Sequence, residues 1–161
     1  MNHLTTAQLI TLKAAILAEV NPVFVAHRTA GSTGAMADWY NVPSLIDAWR
    51  TQAPAQDLDE ASDYSAFDNI VAGKRDAWGL FLRYAPRNMT RLKNRKVVTD
   101  VWGNAVAASV SAGILQACTE KATRGENVFG STPATTGTVT AVIRNLPGRI
   151  DNNDIVQALG A

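Results

Sequence analysis

Residues 5–22 read TTAQLITLKAAILAEVNP, and this stretch decides the fold class. Thr5 and Gln8 have the spacing of a capping box, in which each side chain satisfies a backbone amide left free at a helix start. Leu9, Leu12, Ile16 and Val20 then recur every three or four residues and draw one apolar stripe with the period of a helix. Asn21-Pro22 closes the element, because a residue preceding proline avoids helical geometry.

The helical period continues outward. Residues 23–31 read as a connection, and a short helix follows Ser32 with Met36, Trp39 and Tyr40. Pro43-Ser44 starts another helical piece with Leu45, Ile46 and Trp49 facing inward, closed by Pro54. Residues 74–85 carry a broad apolar face of Trp78, Phe81, Leu82 and Ala85, and Thr90 caps the next helix, with Leu92, Val98, Val101 and Trp102. Asn104 caps a small-residue helix through Val106, Val110, Ile114 and Cys118, in which Ala107, Ala108 and Gly113 admit close backbone approach.

After Phe129 the texture changes. Residues 130–138 are nearly all Gly, Ser, Thr, Pro or Ala, which reads as a loop or arm. Thr138 to Arg144 holds β-branched residues suited to a strand, Pro147-Gly148 to a turn, and Asp151 caps a last helix with Ile155, Val156 and Leu159. The expectation is a mainly α protein. A small helical bundle domain occupies 1–129, and a Gly/Thr/Ser-rich C-terminal arm with a short β-strand or hairpin occupies 130–161.

A chain of 161 residues suits one domain with an added arm and needs no disulfide or metal to fold. Its 15 basic and 14 acidic residues leave a formal charge of +1, so no global field draws it to nucleic acid or an anionic membrane. Cys118, the single cysteine, falls in an apolar helical pattern and reads as a small buried hydrophobe. No stretch is long enough to span a bilayer, and the N-terminus lacks the layout of a signal peptide. The expected setting is the cytoplasm.

Catalytic chemistry finds little to stand on. His3 and His27 are the only histidines, and neither has a second histidine or a cysteine at metal-ligand spacing. Gly31-Ser32-Thr33-Gly34 lacks the lysine and preceding strand of a phosphate loop, and no G-x-S-x-G elbow occurs. Asn88-Met89-Thr90 has the form of a glycosylation acceptor and reads as chance. The tryptophans Trp39, Trp49, Trp78 and Trp102 read as core residues. The expectation is a protein that is not an enzyme and takes no cofactor or metal.

Two charge clusters are left as candidate sites. Arg83, Arg87, Arg91, Lys93, Arg95 and Lys96 form a run without acidic residues, with Arg91 and Arg95 on one helix face; it suits a subunit interface or phosphates, with Tyr84 placed to stack. Asp57, Asp59, Glu60, Asp63 and Asp68 form an acidic segment in which Ala61 and Ser62 break a calcium-loop pattern. Paired carboxylates for glycoside hydrolysis would fit any acidic loop equally, so a solvated or salt-bridging face is the simpler reading. Acidic and basic faces meeting head to tail would build a ring when the rotation closes.

Lys121-Ala122-Thr123-Arg124-Gly125-Glu126, followed by Phe129 and the small-polar stretch, resembles a family of small structural and morphogenesis proteins of tailed bacteriophages. The resemblance extends to the opening Gln8, Leu9, Leu12, Lys13 and Ala14, to Trp49-Arg50-Thr51, and to the closing Asp154, Ile155 and Ala158. Gly125 stands where the family usually has alanine, and Asn145-Leu146-Pro147-Gly148 departs from its usual turn. The resemblance implies a virion protein at the head-to-tail junction: a connector or adaptor (neck) ring subunit bound to portal and/or tail proteins. It would reside in the host cytoplasm during assembly and then in the particle, with possible contact to packaged DNA. The alternatives are a tail or baseplate component and a DNA-binding accessory protein using the basic cluster.

Overall fold

The computed structural model describes residues 4–103, 108–131, 139–146 and 148–160. The protein is mainly helical, as the apolar periods predict, with one two-stranded sheet among the described residues. The chain divides into two compact units, and neither follows a cut at residue 129. One draws on residues 1–46, 121–131 and 144–161, the other on 47–120 and 132–143, so the C-terminal segment is shared between them.

The first unit holds α1 (Thr6–Ala18), α2 (Pro22–Thr29), α3 (Thr33–Asn41), α8 (Arg124–Phe129) and α9 (Asn152–Gly160). Thr5 and Gln8 form the capping box reciprocally, and Leu9, Leu12 and Ile16 turn inward. Arg28 closes the far end of α1 by donating to the carbonyls of Ile16, Leu17 and Glu19 at 2.6, 3.0 and 3.4 Å, groups that a helix end otherwise leaves unpaired. Phe24 packs edge-on to Tyr40 and tilted to Trp39, both with ring centroids 5.6 Å away. Returning chain completes this core with Ile150, Ile155 and Ala158. Asn41 ties it in: its amide donates to Ala37 O (2.9 Å) and Ile150 O (2.7 Å), and its oxygen accepts from Ile150 N–H (3.1 Å).

The second unit holds α4 (Ala55–Glu60), α5 (Ala72–Arg83), α6 (Leu92–Trp102) and α7 (Ala108–Ala117). Its core is aromatic. Trp78 stacks on Phe81 at 5.4 Å and meets Trp102 edge to face at 5.7 Å, with Trp49, Leu58, Ile114, Leu115 and Cys118 around them. Strands β1 (Pro43–Trp49) and β2 (Thr119–Thr123) pair antiparallel, and the unit boundary falls inside both. Arg50 N–H donates to Cys118 O and Arg124 N–H to Val42 O at their two ends.

Several local readings are corrected. Residues 22–29 are a helix, because Asn21 caps Val23 N–H and proline at the first helical position gives up an amide that needs no partner. Residues 43–49 are a strand, with Leu45 93% exposed and Ile46 partly so; a short apolar run does not distinguish strand from helix. Val20 lies past the end of α1 and is 85% exposed. Arg91, not Thr90, is the N-cap of α6, and the Thr90 hydroxyl donates to Asn88 Oδ1 instead. In the 138–144 segment, the described part makes a parallel bridge between Val142 and Ala48. The α9 start is as expected, with Asp151 capping it and Asp154 returning the bond. His3, the expected start of the small-residue helix at residues 104–107, residues 132–138 and Pro147 lie outside the described residues.

Candidate functional site

The basic run falls on the α5–α6 hairpin, and the structure sorts its six members by what each side chain does. Arg95 is buried at 1% exposure; its guanidinium donates to Met89 O (2.7 Å) and Thr90 O (2.9 Å) and lies 4.9 Å over the Trp49 ring. Arg87 folds back on α5, donating to Phe81 O (2.7 Å) and Leu80 O (3.2 Å), with its guanidinium 4.5 Å above the Phe81 ring. A cation at a helix C-terminus complements the dipole there. Burial lowers the pKa of both groups, and an arginine stays charged regardless. These two arginines are clamps on the loop between the helices. Arg91 and Arg95 therefore do not share an exposed face, contrary to their spacing.

Lys96 pairs with Asp100 one turn on, at 3.8 Å, a solvent-exposed contact of little energetic consequence. Arg83, Arg91 and Lys93 remain. All three are exposed, and no ion pair or hydrogen bond engages their side chains among the described residues. Arg83 ends α5 and Arg91 starts α6, so the three cations stand at the loop end of the hairpin beside Tyr84, which is exposed.

The acidic segment is more engaged. Asp57 forms an ion pair with Arg50, whose Nε also donates to Thr119 O at 3.1 Å. Asp68 reaches Arg75 at 3.6 Å. Asp59 accepts from the Tyr64 hydroxyl, Glu60 from Gln56 at 2.7 Å, and Asp63 from Ser65, bonds that hold the Asp63 carboxyl below its usual pKa. Asp59 and Arg83 line one open groove of about 510 Å³ between α4 and α5, floored by Ala55, Gly79 and Leu82. One member of each predicted cluster thus sits at the same place.

The Lys121–Glu126 motif is built into the first unit. Thr123 caps α8 and Glu126 returns the bond to Thr123 N–H, a full capping box. Glu126 also pairs with Arg144 at 3.1 Å, and the Arg124 guanidinium lies 3.6 Å over Trp39. Gly125 is buried; a Cβ there would stand 2.8 Å from Ile150 Cδ1 and 3.3 Å from Tyr40 O. Each residue type in Thr-Arg-Gly-Glu has a packing or capping reason.

Among the described residues no group of three His, Cys, Asp or Glu side chains converges as a metal site. No single helix there is long and apolar enough to cross a membrane, and α1 with α2, which pass that test as a pair, are bent by 113°. Sequence reading missed the exposed apolar side chains at the α1–α2 corner, Leu17, Val20 and Val23, together with Leu45 on β1. Val20 carried the clearest signal, since it completes the helical stripe only if α1 runs one turn longer than it does. Set against family models, characterised proteins and solved structures, the chain matches none of them.

Proposed function

We propose that the protein is a structural component of a tailed-bacteriophage particle, an adaptor (neck) subunit that assembles into a ring at the head-to-tail junction against portal and/or tail proteins. It is made in the host cytoplasm and then incorporated. The resemblance of the Lys121–Glu126 motif and the opening and closing helices supports the family. The observation that carries the assembly is the α1–α2 corner, where Leu17, Val20 and Val23 are 59%, 85% and 56% exposed within seven residues of chain. Apolar side chains concentrated on a surface mark places where another protein removes water from them. Leu45, at 93%, adds a second such point on β1.

Light scattering on the purified chain tests this. A mass several times the 17.2 kDa of one chain is expected, reduced to one chain by Leu17→Glu with Val20→Glu at unchanged helical circular dichroism. A chain that stays single at every concentration, alone and with portal or tail proteins, would overturn the assembly.

A further inference from the structure

We propose that the loop end of the α5–α6 hairpin binds the phosphate backbone of duplex nucleic acid through Arg83, Arg91 and Lys93, with Tyr84 alongside. The inference does not depend on ring assembly. From residue 77 to residue 99 the chain carries six cations and no acid. The structure then divides those six: Arg87 and Arg95 are occupied by backbone carbonyls and aromatic rings, and Lys96 faces Asp100. The three cations left to solvent, none of them in an ion pair among the described residues, all stand at the loop end of one hairpin, where like charges repel one another. A polyanion relieves that repulsion and releases its own condensed counterions when it binds.

The acidic segment of a second copy is a weaker partner for this surface. Two of its five carboxylates, Asp57 and Asp68, are already paired with Arg50 and Arg75. The flanking residues favour a backbone over a pocket ligand. Tyr84 is 65% exposed and Leu92 45%, so Arg91 and Lys93 stand on open surface, and Arg83 edges the open groove it shares with Asp59. Such contacts position a duplex without reading its sequence.

The test is fluorescence anisotropy of a labelled 20-base-pair duplex with the full chain, at 50 to 200 mM NaCl. Three phosphate contacts give a log-log salt slope near −2.7, an affinity loss of about 40-fold across that range. Two duplexes of unrelated sequence bind equally. The Arg83→Gln/Arg91→Gln/Lys93→Gln variant, with its melting point unchanged, loses at least about tenfold in affinity at 50 mM and most of the slope. Arg149→Gln, which removes an exposed cation in the other unit, leaves binding as it was. Absence of duplex binding at 50 mM would overturn the proposal, as would a triple variant that binds like the parent. So would binding confined to phosphatidylserine vesicles, which would make the surface a membrane contact.

Discussion

The two units solve the same problem, gathering helices around a core, with different kinds of bond. The first is assembled from three stretches of chain, and polar side chains tie residues far apart in sequence: Asn41 to Ile150, Gln8 to Asn145 O, Arg124 to Trp39 O. The second is nearly continuous in sequence, and two of its arginines act locally, Arg95 on residues 89–90 and Arg87 on residues 80–81, while Arg50 reaches across to Thr119 O. Its cohesion comes from tryptophan stacking. A charge cluster read from sequence can therefore be scaffold in one residue and free surface in its neighbour, and burial decides which.

The largest expected effect separates those two roles. Arg95→Ala leaves the buried Met89 carbonyl and the partly buried Thr90 carbonyl without this donor and a void under Trp49, and is expected to cost about 3–5 kcal/mol in urea unfolding. Arg91→Ala, four residues away, stays within about 0.5 kcal/mol. Equal losses would erase the distinction between clamp and surface.

Next comes the long-range tie. Asn41→Ala removes three hydrogen bonds, two of them spanning 109 positions, and is expected to cost about 2–3 kcal/mol. The loss should appear as faster amide exchange in α9 and α3, with α5 and α6 unaffected. Exchange rising equally in both units would show that they do not open separately.

A smaller effect sits at Gly125. Gly125→Ala sets a methyl against Ile150 Cδ1 and is expected to destabilise by about 1 kcal/mol, helix propensity offsetting part of the crowding. Ile150→Val removes that Cδ1, so in the double variant the alanine penalty should vanish. Additive costs would contradict the close approach.

The effect that shows only at alkaline pH is in the second core. Burial pushes the Cys118 thiol up to about 12 from its ordinary 9.0. The unfolded chain releases this proton first, so stability is intact below pH 9 and falls between pH 9 and 12. Cys118→Ala should flatten that part of the alkaline decline in the urea midpoint, and native protein at pH 8 should resist thiol reagents that label it once unfolded.

What was legible follows from what a local pattern records. The helix of residues 6–18, its cap and the α9 start signal were readable because capping and period depend on neighbours three and four positions apart. Residues 43–49 were not, because a strand there is specified by pairing with residues 119–123, seventy positions on. Pro22 was ambiguous: the residue that ends one helix opens the next. In the candidate site, sequence located the basic run and its hairpin. It could not show Arg95 turned inward, since a cation at a helical core position looks like any other until Met89, Thr90 and Trp49 close over it. Arg28, which caps α1 from α2, left no signal in the α1 sequence at all.

As the proposed adaptor subunit, the protein would be built into a particle in a fixed small number of copies. Quantitative mass spectrometry of purified virions, with its abundance set against the portal protein, tests this most directly. A copy number equal to the portal's or a simple fraction of it is expected. Absence from the particles, or a copy number matching the major capsid protein, would contradict it.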